Sequence, residues 1–412
     1  MNTGSQTYLR NLDLEHIRHG ARRVVFLFSV AVTVSTPGVA GQVTLGDDRM
    51  CRDCRLSATV EATIGMEEGP GFLLHMPNSV AVDSRGRFWV VADGDPVKVF
   101  DSEGRFLRTV GGFGGGPGEY RSTRSATVVG DSVVILDTRL PRRLSVFDGD
   151  FDFVRSIVLR DPVPEKVLPL RWPEAVVVTG SARRPATAGW PFHLVDFSGR
   201  EAVVKNSFGE GEGTLLPIGQ FRRLLTRYLD RSRDGNFVAI EQHSLRITRW
   251  DEHGGLREIV VRDADWLPDG LAGGMGGTLE HPPQPYLADI HEDNTGRLWV
   301  VGRVKSRDFE DAFRAVRARE GDPPPCRSSG FCEAPARYFV PHTEMYESRV
   351  EVIDQDLSRV LVSQVYPGFI TEFLSDGRVV VYREMDDGAP YIEIVRLKLV
   401  DGTPAGPRVN LR

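Results

Sequence analysis

Four cysteines carry the most reactive side chains of the chain, and they fall into two close pairs, Cys51-Arg52-Asp53-Cys54 and Cys326 with Cys332. Such pairs can serve redox chemistry, a four-thiolate zinc site or structural disulfides. Redox pairs use a helix N-terminus to lower a thiol pKa, whereas Leu56 to Ile64 after the first pair alternates as a strand does. A zinc site needs the two pairs to meet and to stay reduced. Disulfides need only an oxidising compartment. Glycine supplies a second chemical lead in Glu68-Gly69-Pro70-Gly71-Phe72, Gly115-Gly116-Pro117-Gly118-Glu119-Tyr120 and Gly209-Glu210-Gly211-Glu212-Gly213. A phosphate cradle leads from a strand into a helix carrying Lys and Ser or Thr, and none of the three does. Their glycines are read as backbone crossings, with Phe72 and Tyr120 packing beside them as wedges. No Ser-His-Asp signature or metal motif stands at a recognisable spacing.

The compartment is read from the first 40 residues. Arg18, Arg22 and Arg23 precede an apolar run from Val24 to Val34, and Pro37-Gly38-Val39-Ala40 offers small residues for cleavage after Ala40. The run is shorter than the roughly 20 apolar residues a bilayer span takes. The expectation is an exported protein, periplasmic or secreted, with no stable membrane span in its mature form. Processing removes four Arg with Asp13 and Glu15, taking 51 basic and 57 acidic residues to 47 and 55, and the formal charge from -6 to -8. Nucleic-acid binding is disfavoured, because phosphate contacts call for a basic surface.

A chain of 412 residues with 43 Gly and 26 Pro implies either two domains or one large repetitive β-fold. The repeat is clearest in Pro77-Asn78-Ser79-Val80-Ala81-Val82-Asp83, the turn Ser84-Arg85-Gly86-Arg87, Phe88-Trp89-Val90-Val91-Ala92-Asp93, then Val97 to Asp101, Ser102 to Arg105 and Phe106 to Val110. A second copy runs from Ser125 to Leu159, its Gly130 44 positions after Gly86, a spacing that suits a propeller blade. Later copies contain Ala175 to Thr179 with His193 to Asp196; Phe237 to Ile240 with Leu245 to Asp251; Tyr286 to His291, Leu298 to Val301 and Ser348 to Asp354; and Phe369 to Leu374, Val379 to Arg383 and Tyr391 to Leu399. The sixth copy lacks a fourth strand, since Asp401 to Pro407 is poor strand material. Leu56 to Ile64 can supply it and remove the open edges.

The predicted fold is therefore all-β: a six-bladed propeller of four-stranded antiparallel blades, closed three-plus-one by the N-terminal strand, with a short helical insertion in blade five. The expected organisation is a signal peptide over 1–40, an N-terminal segment over 41–55, the propeller over 56–402 with its insertion at 303–347, and a tail over 403–412. The pattern of blade one, with Val99-Phe100-Asp101 and Gly104 after it, resembles the NHL-repeat propellers and the exported bacterial six-bladed families. Relatives of that kind commonly bind proteins or glycans, and a few are enzymes.

Propeller geometry sorts the loops. The long connections, 65–76, 111–124, 207–223, 262–285 and the blade-five insertion, fall on one face, and the short glycine turns fall on the other. In the insertion, Phe309, Phe313 and Val316 have helical spacing opposite Glu310, Arg314, Arg317 and Arg319, which makes Phe309, Phe313, Arg314 and Arg317 candidate lid residues. The fold also separates the cysteine pairs, so local bonds Cys51–Cys54 and Cys326–Cys332 are expected. The resemblance extends to the gluconolactonase and paraoxonase group and the amidating lyase, which hold a metal at the channel mouth. It implies His75, Asn78, Asp289, His291 and Glu372 as comparable residues here, with Ca or Zn as the ion. The primary expectation is a monomeric module that recognises a protein, peptide or glycan through the long-loop face. The alternative is a metal-dependent hydrolase or lyase, similar to the lactonases, at the channel mouth.

Overall fold

The turns between first and second strands explain how so many short strands form. In blade one, Asp83 Oδ1 accepts the backbone N–H groups of Arg85 and Arg87, and Gly86 takes φ 76°, a conformation that favours glycine. The other oxygen of Asp83 accepts the Trp89 indole N–H at 2.9 Å. Blade five repeats the device with Asp293, Thr295, Gly296, Arg297 and Trp299. Each aspartate caps its turn and anchors the following strand.

The computed structural model describes residues 41–45, 51, 53–92, 94–161, 163–181, 190–209, 227–268, 277–321, 339–354 and 359–400. The signal segment, the C-terminal tail, Cys326 and Cys332 lie outside them. Six small sheets form the predicted six-bladed β-propeller. Blade one comprises Pro77–Val82, Phe88–Ala92, Val97–Phe100 and Phe106–Val110. Blade two runs from Thr123–Val129 to Phe153–Val158, blade three from Val163–Arg171 to Val203–Phe208, and blade four from Arg227–Arg231 to Leu256–Arg262. Blade five contains Tyr286–Glu292, Leu298–Lys305, Tyr346–Asp354 and Arg359–Tyr366. Blade six takes Phe369–Phe373, Val379–Glu384 and Pro390–Val400 from the end of the chain and Arg55–Ile64 from its beginning. The closing strand pairs antiparallel with its partner from Arg55 opposite Val400 to Ile64 opposite Ile392.

An apolar cluster fills each gap between neighbouring blades. Trp89 and Val91 pack toward blade two, while Phe88 and Val90 pack toward blade six. Both faces of such a strand are buried, which is why Phe88–Ala92 reads as an unbroken apolar run. Tyr120 acts as the expected wedge: it is fully buried, accepts the Val97 N–H at 2.7 Å and donates to the Val110 carbonyl. Beside it, a Cβ on Gly111 would lie 2.5 Å from the Gly118 oxygen and from the Tyr120 ring. Phe72 is half-buried, and its carbonyl accepts the Lys98 ammonium.

Three departures refine the sequence expectation. Gly41–Leu45 adds a fifth, parallel strand to the outer edge of blade four, with Val43 opposite Val260. The Cys51 N–H then donates to Val360 O on blade five, and the Cys51–Cys54 disulfide forms as expected. The N-terminal segment thus runs along the outer edges of blades four, five and six. In blade three, Val163–Arg171 forms an inner strand despite Pro164 and Pro169. In blade five, Lys305 pairs directly with Tyr346, which narrows the insertion to 306–345. Its helix, Phe309–Glu320, buries Phe309 and Val316 against Val340, with Phe313 partly buried and Arg314 paired to Glu310 and Asp311.

Candidate functional site

The inner strands enclose a channel cavity of about 1350 Å³. Its middle level is built by backbone irregularity. Five of the six inner strands carry an extra residue relative to their neighbour, at Asn78, Arg124, Glu165, Ala288 and Thr371. A bulge re-aims the side chains around it. The residues that follow these five, Ser79, Ser125, Lys166, Asp289 and Glu372, all line the channel.

Several of these side chains fasten one blade to the next. Asp289 Oδ2 accepts the Phe373 N–H of blade six at 2.7 Å, and Glu372 Oε1 accepts the Val80 N–H of blade one at 2.6 Å. One blade earlier, Asp230 Oδ2 accepts the Glu292 N–H and stands 2.7 Å from His291 Nδ1. The Lys166 ammonium lies 3.7 Å from Asp289 Oδ1. Burial alone would depress the lysine, but the fields of Asp289, Asp230 and Glu372 hold its pKa above the usual value. Burial pushes Glu372 up to about 8, a shift opposed by Lys166 and reinforced by Asp289. Asp289 is raised chiefly by burial. His291 is raised, because its bond to Asp230 outweighs desolvation. Among the described residues, Ser125 Oγ at this level has no hydrogen-bond partner and Asp289 Oδ1 is met only by the Lys166 ammonium at 3.7 Å; both residues are more than nine-tenths buried.

The mouth on the long-loop side has a different chemistry. Arg303 is 3% exposed, lies 3.8 Å over the Phe369 ring and donates to Ser348 Oγ at 2.7 Å and to the Ile370 carbonyl. Tyr286 OH is 3.0 Å from His342 Nε2. Burial, with the positive charge of Arg303, pushes His342 down to about 4, so the imidazole is neutral at pH 7. Tyr286 and Tyr228 are both raised by burial.

Of the five residues singled out for the channel mouth, Asp289 and Glu372 meet at the middle level around Lys166. His291 lies on Asp230 and stacks against Phe373. Asn78 lines the channel and donates to Thr123 O at 3.1 Å, joining blade one to blade two. His75 is exposed on its loop beside Gly94, outside the cavity lining. Among the described residues, no three His, Cys, Asp or Glu side chains converge as a metal-ligating set. None of Phe309, Phe313, Arg314 and Arg317 lines the channel; the insertion reaches it through His342. Sequence reasoning missed Lys166, Asp230, Arg303, Tyr286 and His342. The bulge at Ala288 puts Tyr286 out of period-two step with Asp289 and His291, so alternation within Tyr286–Glu292 carried no signal for it, and the flanking prolines masked the one for Lys166.

The sequence matches no protein-family model and no curated protein. Its fold is similar to solved structures. A member of the DUF4221 family from Bacteroides vulgatus aligns with TM-score 0.57 at 10% identity, covering 85% of this chain and 100% of that one. A protein of Bacteroides fragilis described as exported aligns with TM-score 0.53 at 12% identity, covering 87% and 100%. Virginiamycin B lyase from Staphylococcus aureus gives 0.41 at 11%, covering 84% and 100%. At these identities the likeness extends to the fold: the chain is a six-bladed β-propeller with an N-terminal closing strand.

Proposed function

We propose that the protein is an exported binding module, periplasmic or secreted, that receives the polar end of a protein, peptide or glycan in its central channel from the long-loop face. The observation that carries this reading is the bulge-built ring in an open cavity, where, among the described residues, Ser125 Oγ is buried without a hydrogen-bond partner and Asp289 Oδ1 meets only Lys166 at 3.7 Å. Buried polar atoms are normally satisfied, so a ligand that supplies those bonds would gain affinity from groups the fold already holds in place. The NHL-like pattern of blade one agrees with such a role.

Screening the purified protein on peptide and oligosaccharide arrays tests the reading. In one variant a two-residue turn joins Lys305 to Tyr346, which already pair, removing His342 from the mouth. In a second, Ser125→Leu fills the ring. Retention at least about tenfold weaker in both is expected; unchanged retention in both rejects the channel as the site.

The second reading, a metal-dependent hydrolase or lyase using Ca or Zn, draws on the meeting of Asp289 and Glu372 in the channel. The Lys166 ammonium stands where a cation between those acids would sit, so the residues present do not fit a resident metal there. Melting of the protein with Ca²⁺ and Zn²⁺ discriminates the two readings, since a bound ion stabilises the fold. An upward shift on addition of either ion would favour the metal reading.

A further inference from the structure

Among the described residues, Arg303 carries a charge that no ion pair balances. Among the described residues, no carboxylate lies within ion-pair distance of its guanidinium, and its partners, Ser348 Oγ, the Ile370 carbonyl and the Tyr286 hydroxyl, are neutral acceptors. Three acceptors leave part of its five-donor fork unused. A buried guanidinium is costly unless a counter-charge meets it, and burial does draw its pKa below the usual value. The positive field reaches His342, which it helps to keep neutral. Asp289, whose field Arg303 feels, is engaged by the Phe373 N–H and lies beside Lys166. No described residue supplies the anion, and a planar group with two oxygens from a ligand matches the guanidinium fork.

We propose that Arg303, Tyr286 and His342 form a carboxylate-binding subsite at the channel mouth, and that its ligand is an acidic sugar of the uronic-acid type whose hydroxyls reach Ser125 and Asp289. This assignment rests on the binding reading above. A sugar is favoured over a peptide C-terminus by what lies below the mouth. Ser79, Ser125, Lys166, Asp289 and Glu372 offer hydroxyl, acid and ammonium partners for a hydroxyl-rich ring, more polar partners than the single carboxylate of a peptide end would use.

Titration calorimetry on the purified exported protein tests it with four probes: a galacturonic acid trisaccharide, the same trisaccharide with its carboxyls reduced, a tripeptide with a free C-terminus, and the amide of that tripeptide. The acidic sugar is expected to bind at least about tenfold more tightly than the neutral one, the scale of a charge-assisted hydrogen bond. That preference should shrink as salt is raised. Arg303→Met should abolish it, so that the acidic and the neutral sugar bind equally. Tyr286→Phe, which removes one hydroxyl, should reduce it and decides the matter if Arg303→Met does not fold. Equal binding of the two sugars overturns the carboxylate subsite and leaves the binding module standing. Selective binding of the free-carboxylate peptide with neither sugar bound overturns the sugar assignment. Failure of all four probes, together with failure of the arrays, overturns the binding reading itself.

Discussion

The waist and the mouth of the channel handle buried charge in opposite ways. At the waist, Lys166 stands among Asp289, Glu372 and Asp230, and the acids also accept backbone N–H groups of the next blade. At the mouth, Arg303 faces neutral acceptors and an aromatic ring. The contrast separates charges that meet a counter-charge inside the ring from one that bonds to the next blade with no counter-charge among the described residues. Three of the residues that the resemblance nominated for metal binding, Asp289, Glu372 and His291, belong largely to the first kind.

The comparison predicts unequal costs of mutation. Asp289→Ala leaves Lys166 without its nearest acid and the Phe373 N–H without its acceptor, and should destabilise the fold by about 3 kcal/mol in urea unfolding. A loss below about 1 kcal/mol would mean that the waist is not a fastening. Glu372 gives a pH signature. Its folded pKa of about 8 exceeds the value of about 4.3 expected in the unfolded chain, so the folded state binds the proton more tightly. The resulting stability is complete below the unfolded value and is lost as pH rises through the folded one. Wild-type stability should therefore fall between about pH 5 and 9, by about 1–2 kcal/mol after allowance for the opening to the channel, and Glu372→Gln should flatten that fall. A smaller effect is expected at the mouth: Arg303→Met strands no acid and should cost about 1 kcal/mol despite the deep burial of the side chain. The smallest belongs to Ser125→Ala, which removes an unpartnered hydroxyl and should change stability by less than about 0.5 kcal/mol while weakening ligand binding. A large loss in that variant would reveal a structural role for Ser125.

The blades were legible because their turns are written locally. Asp83 to Arg87 and Asp293 to Arg297 hold aspartate, glycine and arginine at the spacing their hydrogen bonds use, and the missing fourth strand of blade six pointed directly to Leu56–Ile64. The site was legible only in part. Asp289 and His291 alternate with Ala288 and Ile290, so their place beside the channel could be inferred, whereas Phe369–Phe373 does not alternate and Glu372 was reached through the resemblance. Lys166 sits between Pro164 and Pro169, which argue against a strand, yet an inner strand forms there with register shifts around Pro164 and Pro169. Arg303 falls near the end of its strand, where the insertion was expected to begin, and only pairing with Ser348 shows that the ladder continues past it. The parallel pairing of Gly41–Leu45 has no local signal, because it depends on an edge more than 200 positions away.

Closure of blade six imposes an order on assembly. Arg55 pairs with Val400, so a strand made before blade one finds its partner only after the third strand of blade six has been made. Until then the apolar residues Ala62 and Ile64 of that strand remain uncovered, along with the unpaired edge of blade six. Such long sequence separation slows folding, and exposed edges and apolar surface favour aggregation meanwhile. The six-bladed ring therefore locks late, and a chain truncated before Pro390 would keep its blade sequences but lose the ladder that joins its two ends.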